Sequence, residues 1–202
     1  FSDHASDCND QSSSSVDSRL YDLHEAFSDE SVDAIMTAIG GYNSNQLLHK
    51  IDYEIIRTNP KILCGFSDIT VLSNAILAKT GLMTYSGPHF SSWAMSRGRE
   101  YMDKAFMDCL TSSEPYSLEP SHTWSDDAWF INQNERKFVL NKDGFVTVNP
   151  GHCSGRIIGG HIRCLSALQG TAYWPGLKDA ILFIEEDEET DINLFDRLLQ
   201  SL

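Results

Sequence analysis

The sequence predicts an α/β fold in which a parallel sheet is flanked by helices, followed by a smaller domain that contains β-strands. Short apolar runs alternate with amphipathic helical stretches between residues 30 and 90, a pattern that favours parallel strands joined by helices. A chain of 202 residues, 41% of them hydrophobic, is long enough to bury a core. We expect an N-terminal α/β domain at residues 1–112, an interdomain linker with small β elements at 113–150, and the C-terminal domain from 151 to 202.

Composition argues against two classes of partner. The net charge of −14 disfavours nucleic acid and membrane surfaces, because both attract basic proteins. The sequence shows neither a signal peptide nor an apolar run of about 18 residues, so we expect no membrane span. The five cysteines form no CxxC pair, which suits a reducing compartment and predicts a cytoplasmic protein.

The individual elements follow from hydrophobic periodicity and from the residues at their ends. Residues 1–15 are polar and rich in serine, which predicts a flexible segment before the first helix. The predicted helices cover residues 16–27, 46–51, 69–79, 97–112, 162–168 and 191–202. The predicted strands cover residues 34–39, 62–64, 82–85, 137–140, 145–148 and, as a buried strand, 180–184. Residues 155–161 (GRIIGGH) are typical of a glycine-rich turn.

Ser67 occupies the sharp turn between a predicted strand and a predicted helix. A serine there can project its hydroxyl above the sheet, and the N–H groups of the first helical turn can stabilise an anion. This is the arrangement of a nucleophile elbow, although the usual G-x-S-x-G pattern is incomplete: Gly65 is present, but Ile69 replaces the second glycine. The alternative is an ordinary helix-capping serine, which is very common.

A pair of glycines, Gly40 and Gly41, follows the preceding predicted strand. Glycines at a strand end let backbone N–H groups approach a ligand closely. Because parallel strands end at the same edge of a sheet, Ser67 and the glycine pair could supply a nucleophile and an oxyanion hole together. A tight turn that needs a positive φ is the alternative. His89 follows the third strand, and it could activate Ser67 as a base or only line the pocket.

Four segments carry a resemblance to a known family: IGGYNSNQLL, NPKILCGFSDITVLSNAILAKTGLMTYSGPHF, GRIIGGHIRCLSALQGT and LKDAILFIEEDEE. In this order they resemble the LD-carboxypeptidase family of serine peptidases, and most closely its microcin C self-immunity branch. The resemblance covers nearly the whole chain from about residue 20 onward. It implies a Ser-Glu-His triad that removes a residue from the C-terminal end of a substrate, without a metal or an organic cofactor.

The resemblance implies roles for particular residues. Ser67 corresponds to the nucleophile, and Glu185 corresponds to the acid of the triad. The N–H groups of Gly41 and Asp68 correspond to the oxyanion hole. The family places the catalytic histidine in a segment beyond residue 202, so the C-terminal domain is expected to be incomplete in this chain. His161 departs from the family pattern, which has asparagine after the glycine pair.

The resemblance also implies a binding pocket and the substrates that it takes. Gly40 and His89 would line the pocket, and Trp129 in SDDAWF is the better match to a tryptophan that stacks on a nucleobase. Ordinary aromatic packing of Trp129 is the alternative. The implied substrates are murein peptides with an L–D bond or aminoacyl nucleotides of the microcin C type, and we expect a homodimer.

Two further alternatives stay open. On composition alone, residues 185–189 form an acidic run that is typical of a solvated surface. A chain that lacks the catalytic histidine would also suit a binding module, which holds a nucleotide-peptide or a murein fragment without cleaving it.

Overall fold

A three-stranded parallel sheet forms the centre of the N-terminal part of the computed structural model, which describes residues 1–187 and 190–202. Its strands are β1 (Ala34–Met36), β2 (Ile62–Gly65) and β3 (Tyr85–Ser86), in that spatial order. Ile35 pairs with Leu63 and Cys64 pairs with Tyr85, so both strand pairs are parallel. The predicted α/β class with a parallel sheet is confirmed.

Three helices accompany this sheet, and their ends carry the expected signals. Helix α1 (Val16–Ser28) begins after Ser15, whose side chain accepts the N–H of Ser18. Helix α2 (Tyr53–Thr58) lies just after the predicted helix at 46–51, where a 3-10 turn (Ser44–Gln46) stands instead. Helix α3 (Ile69–Thr80) ends at Gly81, which has the left-handed conformation that glycine adopts without strain.

Helix α3 is the most buried helix of the chain, and it fixes the position of the turn before it. Seven of its residues are buried, among them Ile76 on a fully buried face. Side chains from α1, α2 and β2 complete the same core, including Phe27, Ile56 and Leu63. Because these side chains are shielded from water, the start of α3 is held firmly against the end of β2.

By its contacts, the chain divides into two compact units: Phe1–His89 with Cys153–Leu202, and Phe90–His152. The second unit contains helix α4 (Glu100–Thr111) and a short antiparallel pair of strands, β4 (Thr123–Trp124) and β5 (Val139–Leu140). The strand predicted at 145–148 is wrong: these residues form no strand, and Val146 and Val148 are exposed.

The first unit also contains a two-stranded parallel sheet made of β6 (Arg156–His161) and β7 (Ala180–Glu185). The glycine-rich turn predicted at 155–161 is wrong, because residues 156–161 of it form strand β6, which pairs with β7 along its full length. The predicted burial of β7 is also wrong, since Leu182 and Phe183 are 38% and 49% exposed. Helices α5 (Ile162–Ser166) and α6 (Ile192–Ser201) follow the two strands.

Strand β6 is joined directly to helix α3. The backbone N–H of His161 donates to Thr70 Oγ1, and Asn74 Nδ2 donates to the carbonyl oxygen of Gly159. A Cβ atom on Gly160 would lie 2.4 Å from Thr70 Oγ1, so only glycine permits this approach. The contacts place the end of the β6–β7 sheet beside the first turn of α3.

In the described part of the chain, no helix is long and apolar enough to cross a membrane.

Candidate active site

Ser67 lies in the turn between β2 and α3 and has a left-handed backbone conformation, with a φ of 58°. A residue with a Cβ atom adopts this conformation only at a cost of about 1–3 kcal/mol, and such residues are concentrated at functional sites. Gly65 permits the tight turn, because a Cβ atom there would lie 2.3 Å from Thr37 Oγ1. Ile69, at the position of the missing glycine, is buried at the start of α3.

The glycine pair after β1 lies against this turn. A Cβ atom on Gly40 would lie 3.2 Å from Ser67 Oγ and 3.3 Å from His89 Cε1, so these three residues meet at one point. Gly41 has a φ of 149°, which a residue with a side chain rarely adopts. A Cβ atom there would lie 3.8 Å from the Asp68 carboxylate. The two strand ends therefore meet as the sequence indicated.

The carboxylate of Asp68 fixes the loop that follows the glycine pair. Its Oδ2 atom accepts the N–H of Asn43 at 3.0 Å and that of Ser44 at 2.9 Å, and the side chain is buried. Arg19 extends the network, because its guanidinium donates to Asn43 and Gln46. Burial lowers the pKa of Arg19, and the charge of Asp68 opposes that shift.

The backbone N–H groups in the first turn of α3 were expected to be free to bind an anion, but those of Ile69 and Thr70 already donate to carbonyl groups of the turn. The N–H of Ile69 donates to the carbonyl of Phe66, and the N–H of Thr70 donates to that of Ser67. The first helical turn is therefore not free to bind an anion, because a tight turn already satisfies it. Within residues 1–187 and 190–202, the N–H groups of Gly41 and Asp68 have no acceptor. These are the two N–H groups that the sequence analysis assigned to an oxyanion hole.

Glu185, the last residue of β7, reaches the same turn. Its Oε1 atom accepts the backbone N–H of Ser67 at 3.3 Å, although 118 residues separate the two in the chain. The carboxylate is partly buried. It lies there because Glu185 pairs with His161 at the end of the β6–β7 sheet, which Thr70 joins to α3. The wider acidic run predicted as solvated includes Glu188 and Glu189, which lie outside the described residues.

His89 packs beneath the turn and is 3% exposed. Its ring stacks on Phe66, with centroids 4.1 Å apart and an interplanar angle of 18°. Its Nε2 atom lies 3.2 Å from the backbone nitrogen of Phe66 and 3.0 Å from the carbonyl oxygen of Phe66. Burial lowers the pKa of His89, and the bond to Phe66 partly offsets this shift. The imidazole is therefore neutral near pH 7.

A cluster around His161 was missed by the sequence analysis. His161 Nε2 lies 3.0 Å from Glu186 Oε1 and 3.2 Å from Asp187 Oδ2, and Arg163 pairs with both carboxylates. The histidine and the two acids offer three atoms that could hold a metal ion, but the Arg163 guanidinium already pairs with both carboxylates and offsets one of their two negative charges. The local sequence pattern gave no signal for this cluster, because residues 155–161 were assigned to a turn, whereas His161 and Glu185 end two paired parallel strands.

Trp129 lies in the unit formed by residues 90–152. It is partly exposed and contacts Phe130 edge to face, with ring centroids 5.8 Å apart. Its role in substrate binding stays a prediction.

Comparison with known proteins places the chain in a family. Residues 1–87 match the LD-carboxypeptidase N-terminal domain, and residues 154–202 match the LD-carboxypeptidase C-terminal domain. The chain belongs to the LD-carboxypeptidase family. The resemblance that its motifs carry is thereby confirmed.

Two curated relatives are similar to this chain over all or most of its length. YocD of Bacillus subtilis is 52% identical over 202 residues, which are 100% of this chain and 62% of YocD. The microcin C7 self-immunity protein MccF of Escherichia coli is 32% identical in an alignment of 199 residues that covers 94% of this chain and 57% of MccF. The chain thus spans about three fifths of the length of these relatives.

Solved structures agree with the fold. The MccF-like protein from Bacillus anthracis superposes with a TM-score of 0.97 at 54% identity, over 100% of this chain and 62% of that protein. MccF in complex with aspartyl sulfamoyl adenosine superposes with a TM-score of 0.80 at 32% identity, over 98% of this chain and 61% of that one.

Proposed function

We propose that the protein is a serine carboxypeptidase that hydrolyses a C-terminal peptide or amide bond, with Ser67 as the nucleophile. One observation carries this proposal: the strained Ser67 turn lies against Gly40, and its N–H is bound by a carboxylate from the distant strand β7. A helix-capping serine needs none of these features, because ordinary caps adopt an extended conformation. Membership of the LD-carboxypeptidase family supports the same assignment.

The reaction begins when Ser67 Oγ attacks the carbonyl carbon of the scissile bond. The carbonyl oxygen becomes an oxyanion, and the N–H groups of Gly41 and Asp68 bind it. When the tetrahedral intermediate collapses, the carbon–nitrogen bond breaks, the amine takes a proton and leaves, and Ser67 carries an ester. Water then hydrolyses the ester and restores the hydroxyl.

The proton leaves Ser67 for a histidine, which the family resemblance assigns to a segment beyond residue 202. Glu185 is the acid that orients this histidine and stabilises its positive charge. Its Oε1 atom accepts the N–H of Ser67. In this scheme the second oxygen of the carboxylate is the acceptor for the N–H of the histidine. The acid and the nucleophile are thus held together by one direct hydrogen bond.

We propose a small substrate, either an aminoacyl nucleotide of the microcin C type or a murein peptide with an L–D bond. The aminoacyl-nucleotide class is supported by solved structures of MccF in complex with glutamyl sulfamoyl guanosine and aspartyl sulfamoyl adenosine. The murein class is supported by a structural neighbour, the muramoyltetrapeptide carboxypeptidase from Oxalobacter formigenes. Stacking of Trp129 on an aromatic group of the substrate, a homodimeric assembly and a cytoplasmic location belong to the same proposal.

A non-catalytic binding module is the second candidate. It is favoured by the engagement of both histidines near the site: His89 Nε2 contacts backbone atoms of Phe66, and His161 Nε2 contacts two carboxylates. Such a module would bind the same ligands and release them unchanged.

The test compares the protein expressed from its native reading frame with its Ser67→Ala variant. Each is incubated with a murein tetrapeptide and with aspartyl sulfamoyl adenosine, and mass spectrometry detects the shortened product. Ser67→Ala is expected to lower turnover by about 10⁴-fold or more while circular dichroism stays unchanged. Ser73→Ala, on the partly buried side of α3, is the matched control and should retain turnover. Turnover by Ser67→Ala would remove Ser67 from the reaction, and binding without turnover by the unmodified protein would establish the binding module.

A further inference from the structure

We propose that His89 is a positioning residue, which holds the Phe66–Ser67 peptide group together with Glu185 and so keeps Ser67 in its strained conformation. This inference rests on the proposed role of Ser67 as the nucleophile. It assigns His89 a function other than proton transfer or direct contact with substrate.

The two side chains act on opposite ends of one peptide group. Its oxygen, the carbonyl of Phe66, lies 3.0 Å from His89 Nε2, and its nitrogen, the N–H of Ser67, donates to Glu185 Oε1 at 3.3 Å. Rotation of this peptide plane would change the φ of Ser67. A donor on the oxygen and an acceptor on the nitrogen oppose that rotation, so they preserve the φ of 58°.

The assignment requires that His89 Nε2 carries the proton and donates it to the Phe66 carbonyl oxygen, the closer partner at 3.0 Å. In the opposite tautomer Nε2 would instead accept the Phe66 N–H at 3.2 Å, and Ile69 alone would hold the carbonyl. Burial keeps the ring neutral, so one nitrogen carries a single proton. The Phe66 oxygen has two lone pairs and can accept from His89 Nε2 as well as from the N–H of Ile69, which lies 3.2 Å away. The carbonyl is therefore held from two directions.

The position of the ring also argues against catalysis by His89. The ring is 3% exposed and stacks on Phe66, so it is not free to reorient during a reaction. Among the described residues, no hydrogen bond joins Ser67 Oγ to a nitrogen of His89, whose Nε2 atom contacts Phe66 instead. A general base needs a nitrogen within hydrogen-bond reach of the proton that it takes.

Two substitutions separate the hydrogen bond from the packing of the ring. His89→Phe keeps the stack on Phe66 and removes the donor. His89→Gln places an amide N–H close to the position of Nε2 and restores the donor. His49→Gln is the control, because His49 is exposed on the surface of the same unit.

Three quantities are measured: kcat, KM, and the rate at which a fluorophosphonate labels Ser67. We expect His89→Phe to lower kcat and the labelling rate about tenfold with KM within about twofold, because the lost bond orients the nucleophile and does not bind substrate. His89→Gln should recover most of this loss, and His49→Gln should match the unmodified protein. An unchanged labelling rate in folded His89→Phe would overturn the proposal. So would a His89→Gln variant as inactive as Ser67→Ala, because that result would make His89 the base.

Hydrogen exchange at the Ser67 amide tests the same inference without relying on activity. Exchange should be about tenfold faster in His89→Phe than in His49→Gln, because the peptide plane turns more freely. Equal exchange rates would overturn the proposal. If the unmodified protein neither turns over substrate nor reacts with fluorophosphonate, the proposed function fails, and the exchange rates still decide whether His89 holds the peptide.

Discussion

Replacing Asp68 with alanine is expected to unfold the loop that carries the glycine pair and to lower the stability of the whole first unit. The Asp68 carboxylate is buried and accepts the N–H groups of Asn43 and Ser44 at 3.0 and 2.9 Å. Alanine provides no acceptor, and water reaches this site poorly because Ser44 is also buried. The substitution also removes the negative charge that faces the partly buried guanidinium of Arg19.

The magnitude follows from these two hydrogen bonds. A buried N–H group that loses its acceptor costs about 1–3 kcal/mol, and bonds to a charged acceptor are at the strong end of the range. Two such groups predict a loss of about 3 kcal/mol in the free energy of unfolding for Asp68→Ala. Asp68→Asn keeps a carbonyl oxygen that can accept both N–H groups, so it should lose only about 1 kcal/mol.

Urea denaturation followed by circular dichroism measures both changes. With a slope of about 2–3 kcal/mol per molar urea, Asp68→Ala should lower the midpoint by about 1 M. Asp196→Ala, a change to an exposed carboxylate on helix α6, is the control and should leave the midpoint close to that of the unmodified protein. An Asp68→Ala midpoint equal to that of the control would show that Asp68 does not hold the loop, and the reasoning from the two N–H groups would be refuted.

Two further predictions concern titratable groups. Burial lowers the pKa of His89 below its ordinary value of about 6.5. Below pH 6.5 the unfolded chain therefore binds a proton at this residue more readily than the folded chain does, so the free energy of unfolding should fall as the pH drops. Above pH 6.5, His89 should leave the free energy of unfolding unchanged. Urea midpoints of the unmodified protein and His89→Gln at pH 7.5, 6.5 and 5.5 test this sign; parallel curves would contradict it. Burial, and secondarily the charge of Asp68, raises the pKa of the Cys164 thiol to about 12, so iodoacetamide at pH 8 should alkylate the exposed Cys8 and Cys153 but spare Cys164 until urea is added. Peptide mass mapping gives the extent of labelling at each cysteine, and equal labelling of Cys164 and Cys8 in the folded protein would contradict the assignment.

Local sequence signals predicted most of the elements of the first unit. Helix α1 was expected at 16–27 and is Val16–Ser28, and helix α3 was expected at 69–79 and is Ile69–Thr80. Both have strong end signals, Ser15 and Gly81, and these act within a few residues. The prediction at 155–161 failed because two consecutive glycines resemble a turn, whereas pairing with β7 stabilises them as a strand. Pairing with a distant strand leaves no mark on the local pattern.

The sequence by itself determined the parallel α/β class, the turn at Ser67, the glycine pair that accompanies it and the family to which the chain belongs, because these depend on residue type and on short spacing. Only the tertiary structure decided that Glu185 binds the N–H of Ser67, that His89 turns its nitrogen toward Phe66, and that His161 binds two carboxylates. The physical reason is distance along the chain: each contact joins residues separated by 23 to 118 positions, and their meeting depends on how the two sheets pack around helix α3.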